Sequence, residues 1–183
     1  MSLELILGCM RSGKTSMLIR YIKRCLSIDK NILVLSHVSD TRYGNNVIAT
    51  HDKVKVECIC LENLNDIFES EDYTDQFNEA EFVFIEEGQF FEDIVEFCKK
   101  AVDQENKKVV VSALDGDFQR RSFKVIADLI PLADEYTKLT ALCQICKDGT
   151  KAIFSKRIVD NQECKLVGAD GVYLSVCRKH YFA

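Results

Sequence analysis

The stretch Gly8-Cys9-Met10-Arg11-Ser12-Gly13-Lys14-Thr15 fits the spacing G-x-x-x-x-G-K-[ST], and it constrains the fold more than any other part of the chain. An apolar run, Leu3 to Leu7, precedes it and reads as a buried strand. After it, Met17, Leu18, Tyr21, Ile22, Cys25 and Leu26 recur at helical spacing. Strand, glycine loop and helix in that order are the context in which this spacing makes a phosphate-binding loop. Backbone N–H groups of such a loop, together with the helix N-terminus, point at one spot and favour anions. Lys14 is expected to reach the β- and γ-phosphates of a nucleotide, and the Thr15 hydroxyl to ligate Mg²⁺. Gly8, Cys9, Met10, Arg11, Ser12, Gly13, Lys14 and Thr15 are therefore the candidate ATP-binding loop.

The chain beyond the loop alternates. Asn31–Ser36 reads as a second buried strand that runs into a polar loop, Asp40 to Gly44. Val54–Ile59 alternates and predicts a peripheral strand, followed by a helix over Leu61–Ser70. Phe82–Ile85 and Val109–Leu114 read as core strands, and Phe90–Val102 carries apolar residues at helical spacing. Phe123–Ile130 predicts a helix stopped by Pro131. Continuous apolar strands alternating with helices imply an α/β fold, with a mostly parallel sheet covered on both faces. Ligands of such sheets sit beyond the carboxyl ends of the strands. The polar groups Gly8–Thr15, Asp40–Arg42, Glu86–Gln89 and Asp115–Arg121 all fall there.

With 183 residues and 47% hydrophobic content, one domain with a small appendage is expected. Nothing reads as a signal peptide or a membrane span. The net charge of −5 argues against a general nucleic-acid binder. Charge is uneven: residues 138–183 carry 8 Lys/Arg against 4 Asp/Glu, and residues 1–137 carry 16 against 25. Complementary surfaces between parts or subunits account for that more simply than a basic ligand site. From Leu139 the character changes to short strand-like runs with glycines, so the expected units are residues 1–138 and 139–183.

Nine cysteines without a secretory signal should be reduced thiols, and close pairs then suggest metal rather than disulfides. Cys143-x₂-Cys146 and Cys177-x₂-His180 supply three thiolates and an imidazole, a complete tetrahedral Zn²⁺ set with no open position, hence structural. The 30 residues between Cys146 and Cys177 exceed the usual ribbon spacing, so the metal would tie off a long loop. Cys9, Cys25, Cys58, Cys60, Cys98 and Cys164 lack ligand spacing and read as small hydrophobes. Glu86-Glu87-Gly88-Gln89 follows the apolar strand Phe82–Ile85, where P-loop proteins place a metal-side acid. Two adjacent carboxylates can divide the labour, Glu86 toward Mg²⁺ and Glu87 as general base on an attacking hydroxyl.

Several stretches now carry a resemblance. Asp40-x-Arg42-Tyr43, Thr50-His51-Asp52, Glu87-Gly88-Gln89-Phe90-Phe91, Asp93-Ile94-Val95-Glu96-Phe97 and Ala113-Leu114-Asp115-Gly116 are followed by Phe118-Gln119-Arg120, Ser155-Lys156-Arg157 and Ser175-Val176-Cys177-Arg178-Lys179. In this order and spacing, from about residue 3 to 182, the chain resembles the type II thymidine kinase family. The resemblance implies a P-loop, RecA-like core and a zinc unit bearing a lasso loop. It implies transfer of phosphate from ATP to the 5′-hydroxyl of thymidine or deoxyuridine, in nucleotide salvage. Glu87 matches the family's catalytic base. Lys14, Thr15, Asp40, Arg42, Glu86 and Gln89 match positions around ATP and Mg²⁺. Phe118 matches the aromatic residue against the base, and Cys164, Lys165, Leu166, Val167 and Gly168 match the lasso, with Tyr173 nearby. Met10, Leu114, Ser155 and Arg157 complete the expected nucleoside contacts. The family also implies a cytoplasmic enzyme, a homotetramer or dimer, feedback inhibition by dTTP, and no nucleic-acid or membrane partner.

The departures are specific. Cys9 and Arg11 replace the family's Pro and aromatic residue in the loop, Glu86 replaces an Asp, Asp117 a Thr, and His180 a common Cys. The chain ends at Ala183 without the long tail of the animal enzymes, which points to a viral or bacterial source. Two other readings share the loop. A nucleic-acid-dependent ATPase with a zinc ribbon would want a basic face or stacking platform, and the chain has no Trp. A GTP switch would want Asn-Lys-x-Asp, and Asn106-Lys107-Lys108-Val109 fails at the fourth place.

Overall fold

The computed structural model describes residues 1–40, 46–50, 53–159 and 171–183. The chain begins with β1 (Ser2–Gly8), α1 (Lys14–Leu26) and β2 (Ile32–His37). Three short strands follow, β3 (Val47–Ala49), β4 (Lys55–Glu57) and β5 (Ile59–Leu61), then α2 (Asp66–Glu69) and α3 (Glu71–Glu79). Next come β6 (Phe82–Ile85), α4 (Ile94–Lys99), β7 (Lys108–Leu114), α5 (Lys124–Leu129) and β8 (Glu135–Leu139). Six of these strands form one parallel sheet in the order β5-β2-β6-β7-β1-β8.

Successive side chains on a strand point to opposite faces, so this sheet has two cores. Leu3, Leu5 and Leu7 share a face with Val83, Ile85, Val109 and Val111, and this face packs on Phe77, Ile94, Phe97, Ile126 and Leu129. Ile6, Phe82, Phe84 and Val110 face the other way, against Leu18, Ile22 and Cys25 of α1. Leu18 and Ile22 are fully buried one helical turn apart, each contributing roughly 1.5–3 kcal/mol of apolar burial. The last turn of α1 carries Lys23 and Arg24, which suit the negative end of the helix dipole. Among the described residues no helix is long and apolar enough to cross a membrane.

Beyond β8 the strands shorten. β9 (Ala141–Leu142) pairs antiparallel with β10 (Lys151–Ala152), and β11 (Phe154–Arg157) pairs antiparallel with β12 (Tyr173–Val176). The short helix α6 (Arg178–Phe182) closes the chain. Ala141, Cys143, Ala152, Val176 and Cys177 form a third, small core, which Cys9 of the glycine loop joins.

Three expected elements come out differently, and two further elements have no counterpart in the sequence reading. The strand over Val54–Ile59 is divided at Cys58, whose N–H turns to the carbonyl of Asn46; Lys55–Glu57 pairs with β3, and Ile59–Leu61 becomes an edge of the main sheet. The helix over Leu61–Ser70 shrinks to Asp66–Glu69, because Leu61 completes β5. A second helix, α3, follows it unannounced, since its sequence Glu-Asp-Tyr-Thr-Asp-Gln-Phe-Asn-Glu buries only Phe77. Phe90–Val102 is interrupted: a 3₁₀ turn at Gly88–Phe90 precedes α4, and a wider π-type turn follows at Lys100–Gln104. β8 was not expected as a strand, because an edge strand with exposed Glu135 and Tyr136 lacks an apolar pattern.

Candidate active site

The carboxyl ends of β1, β2, β6 and β7 place the glycine loop, Asp40, the Glu86–Gln89 turn and Asp115 along one edge of the sheet. Sterics fix the loop's two glycines. A Cβ at Gly8 would lie 2.6 Å from the Leu139 carbonyl oxygen and 2.7 Å from Ser12 Oγ, and Gly13 has φ 87°, which L side chains rarely adopt. Arg11, between them, also holds a positive φ of 59°. Lys14 is buried, and its Nζ donates to the Cys9 carbonyl at 3.1 Å, folded back over the loop it follows. Ser12 Oγ is buried without a hydrogen-bond partner among the described residues. An unpartnered hydroxyl inside a glycine loop is a donor set aside for an incoming acceptor, which suits a phosphate oxygen.

Glu86 and Glu87 follow β6 directly, and both are buried. The Thr15 hydroxyl donates to Glu86 Oε1, while Glu86 Oε2 has no hydrogen-bond partner among the described residues. Burial, reinforced by the neighbouring Glu87 carboxylate, pushes the Glu86 carboxyl up to about 7. A buried acid pair of this kind, beside a hydroxyl and a lysine, has the chemistry to accept a hard dication through oxygen ligands. The chain turns at Glu87 through a positive φ of 52°. Gln89 Nε2 donates to Glu87 Oε2 at 2.6 Å, and Gln89 Oε1 accepts the Leu114 N–H at 3.0 Å. Gln89 thus ties Glu87 to the end of β7. Asp115, one residue on, pairs with Lys138 of β8 at 2.8 Å.

Phe118 is framed by the region after β8. The Arg157 guanidinium lies 3.8 Å from its ring centre and donates to the Tyr173 hydroxyl. The Tyr181 hydroxyl donates to the Phe118 carbonyl at 2.8 Å. Arg120 spans Tyr181 and Phe182, 4.6 Å from each ring centre. Ser155 Oγ accepts the Met10 N–H at 3.0 Å, which brings that expected nucleoside residue against the glycine loop.

Cys143, Cys146, Cys177 and His180 converge, their ligand atoms all within 4.8 Å of one another. Cys146 Sγ and Cys177 Sγ are 3.8 Å apart, and His180 Nδ1 lies 3.2 to 3.7 Å from the three sulfurs. A tetrahedral ion bonded to sulfur at ~2.3 Å sets sulfurs roughly 3.8 Å apart. Burial and the hydrogen-bonded Cys143 and Cys177 push the Cys146 thiol up to about 11. Three thiolates packed this closely repel one another, and a bound dication removes that repulsion, so the donor set fits a metal. The backbone N–H of Cys177 already donates to Cys143 Sγ at 3.3 Å.

A family model described as thymidine kinase matches residues 1–181. The chain belongs to the thymidine kinase family. It is 41% identical to thymidine kinase a of Arabidopsis thaliana over 180 residues, covering 98% of this chain and 74% of that one. It is 42% identical to the thymidine kinase of rabbit fibroma virus over 182 residues, covering 98% and 96% of the two chains. It is 40% identical to thymidine kinase 1 of Dictyostelium discoideum over 183 residues, covering 98% and 77%.

Of the residues the sequence singles out on the thymidine kinase pattern, the loop, Asp40, Glu86, Glu87, Gln89 and Leu114 gather at one sheet edge. Met10, Ser155, Phe118, Arg157 and Tyr173 are joined by the contacts above. Arg42 and the lasso expected at Cys164, Lys165, Leu166, Val167 and Gly168 lie outside the described residues. Sequence reasoning missed the contacts of Tyr181, which holds the Phe118 carbonyl from α6, and of Arg120, which lies over the Tyr181 and Phe182 rings. Their partners lie 63 residues away for Tyr181 and 61 and 62 for Arg120, and no local pattern reports such a contact.

Proposed function

We propose that this chain transfers the γ-phosphate of ATP to the 5′-hydroxyl of thymidine, and of deoxyuridine less well, giving thymidine monophosphate and ADP in nucleotide salvage. The observation that carries this reading is the thymidine kinase family match over residues 1–181. Glu87 takes the 5′-hydroxyl proton as the oxygen attacks the γ-phosphorus, and the bond from that phosphorus to the β–γ bridging oxygen breaks. Lys14 and the loop N–H groups hold the phosphates, and Lys14 stabilises charge developing on the transferred group. Thr15 and Glu86, with Asp40 nearby, would hold Mg²⁺, which would neutralise negative charge on the phosphates. Phe118 lies against the base, with Arg157, Tyr173, Met10, Leu114, Ser155 and the segment Cys164–Gly168 around the nucleoside. Arg42 and Gln89 complete the nucleotide side.

The same reading assigns residues 1–138 to ATP binding and residues 139–183 to a zinc-bound unit that closes over the nucleoside. Zn²⁺ on Cys143, Cys146, Cys177 and His180 is structural, since the four ligands leave no open position. Feedback inhibition by dTTP, a homotetramer or dimer, and a cytoplasmic setting belong to the proposal as well. The test is phosphorylation of a nucleoside panel by purified protein with ATP and Mg²⁺. Thymidine and deoxyuridine should turn over and purine nucleosides poorly, as the resemblance to the family implies. Deoxyadenosine turning over as fast as thymidine would sink the specificity, and no turnover of any nucleoside would sink the activity.

A further inference from the structure

A line of hydrogen bonds runs from the metal cluster to the glycine loop. Gln144 sits between the ligands Cys143 and Cys146. Its N–H donates to the Ser175 carbonyl at 3.0 Å, and its Oε1 accepts the Ser175 N–H at 2.8 Å. Both backbone groups of Ser175 are therefore occupied by one residue of the cysteine knuckle. The Ser175 side chain continues the line: its Oγ donates to the Met10 carbonyl at 2.7 Å. Ser175 is 1% exposed, so water does not compete for this bond. Ser155, its register partner across β11 and β12, accepts the Met10 N–H at 3.0 Å.

Two serines thus grip the two peptides that flank one loop residue. A trans peptide points its carbonyl and its N–H in opposite directions. With the Met10 N–H turned to Ser155, the Cys9 carbonyl of the same peptide faces away, where it receives Lys14 Nζ at 3.1 Å and the Ser12 N–H at 3.3 Å. With the Met10 carbonyl turned to Ser175, the Arg11 N–H of the next peptide must likewise face away from β12.

We propose that Ser175 is a positioning residue for ATP: held by Gln144 of the metal knuckle, it sets the plane of the Met10–Arg11 peptide and so the direction of the Arg11 N–H in the array that receives the phosphates, while Ser155 holds the preceding peptide, whose carbonyl receives Lys14. Folding of the metal cluster and readiness of the glycine loop are then one event. The inference rests on the reading of Gly8–Thr15 as the ATP loop.

The experiment compares native protein, Ser175→Ala, Ser175→Thr and Lys14→Ala. It measures binding of a non-hydrolysable ATP analogue with Mg²⁺ by calorimetry, together with kcat and the separate KM values for ATP and thymidine. Ser175→Ala strands a buried carbonyl, and the loop turns to satisfy it, so analogue affinity and KM for ATP should worsen roughly tenfold. KM for thymidine should worsen clearly less than KM for ATP, because Ser175 holds the Met10 backbone and no direct partner of the nucleoside is lost. Ser175→Thr keeps the hydroxyl and should restore analogue binding. If Ser175→Ala does not fold, Ser175→Cys keeps a donor at that position, though a weaker one, and should show a smaller loss in the same direction. Native-like analogue affinity in the Ala or Cys variant, whatever its melting temperature, overturns the inference. So does an equal worsening for ATP and thymidine. Native-like affinity in Lys14→Ala overturns the ATP-loop reading itself; loss in Lys14→Ala with none in Ser175→Ala overturns this inference alone.

Discussion

Thr15 donates its hydroxyl hydrogen to Glu86 Oε1, joining the first turn of α1 to the end of β6 across 71 residues of chain. The contact places the proposed metal-side hydroxyl and acid side by side before any ion arrives. It satisfies only one oxygen of a carboxylate that is 2% exposed. The remaining burial has a thermodynamic signature.

Glu86 is raised from an ordinary carboxylate value of 4.5 to about 7, first by burial and then by Glu87. A raised acid binds its proton more tightly in the native state than in the unfolded chain. Its contribution is therefore fully present below about 4.5 and is lost as pH rises through about 7. Glu86→Gln, which cannot ionise, should remove this component. In urea unfolding without Mg²⁺, the variant should gain stability relative to native protein steadily between pH 4.5 and 7 and hold that gain above. A difference that stays flat across the window would show that Glu86 is not the group that titrates.

Glu87→Gln keeps the shape of the side chain and removes the base. A positioned base contributes typically about 10²–10⁴-fold, so kcat should fall by a factor in that range while thymidine still binds. Glu86→Asp restores the family's usual acid and should retain activity, with the main change in Mg²⁺ dependence. Paired kinetics across Mg²⁺ concentrations separate the two roles. Rescue of Glu87→Gln, but not of Glu86→Gln, by excess Mg²⁺ would reverse the assignment.

Lys14→Ala should lower turnover far more than Arg11→Phe. Lys14 lies on the Cys9 carbonyl inside the loop, whereas Arg11 is exposed at a left-handed turn. Arg11→Phe also restores the residue usual in the family, and its activity should stay within a few-fold of native. Steady-state assays over ATP concentration give the comparison, and the opposite ranking would refute this reading of the loop.

One zinc ion per chain should co-purify with active protein. Structural zinc contributes apparent free energies on the order of 10–16 kcal/mol in small peptides. Cys146→Ser should therefore give insoluble or inactive protein, and a strong chelator should unfold the native one. Elemental analysis of active enzyme without zinc would rule the site out.

The sequence reported what rests on local chemistry. β1, α1, β2, β6 and β7 are legible because their side chains are buried on one or both faces and keep a clean apolar pattern. The metal ligands are legible because two pairs lie three residues apart, a spacing that chemistry restricts. α3 and β8 are not legible, for their buried content is too small: Phe77 in one, and no fully buried residue in the other. The acid pair could be read from its place after an apolar strand, yet its burial could not. The Phe118 frame and the grip on Met10 could not be read either. They depend on residues from either end of the chain meeting in space, as Ser175 meets Met10 over 165 positions.

Cys9 has its backbone in the glycine loop and its side chain among Ala141, Cys143, Ala152, Val176 and Cys177. Its Sγ donates to the Ala152 carbonyl at 3.5 Å. Anyone splicing chimaeras within the family therefore meets a hidden ninth position. Exchanging residues 139–183 for those of a relative with Pro in that place would seat this chain's thiol in a pocket shaped for a ring. Recombinants that carry residue 9 along with the C-terminal segment should express and fold where those cut at the obvious seam do not.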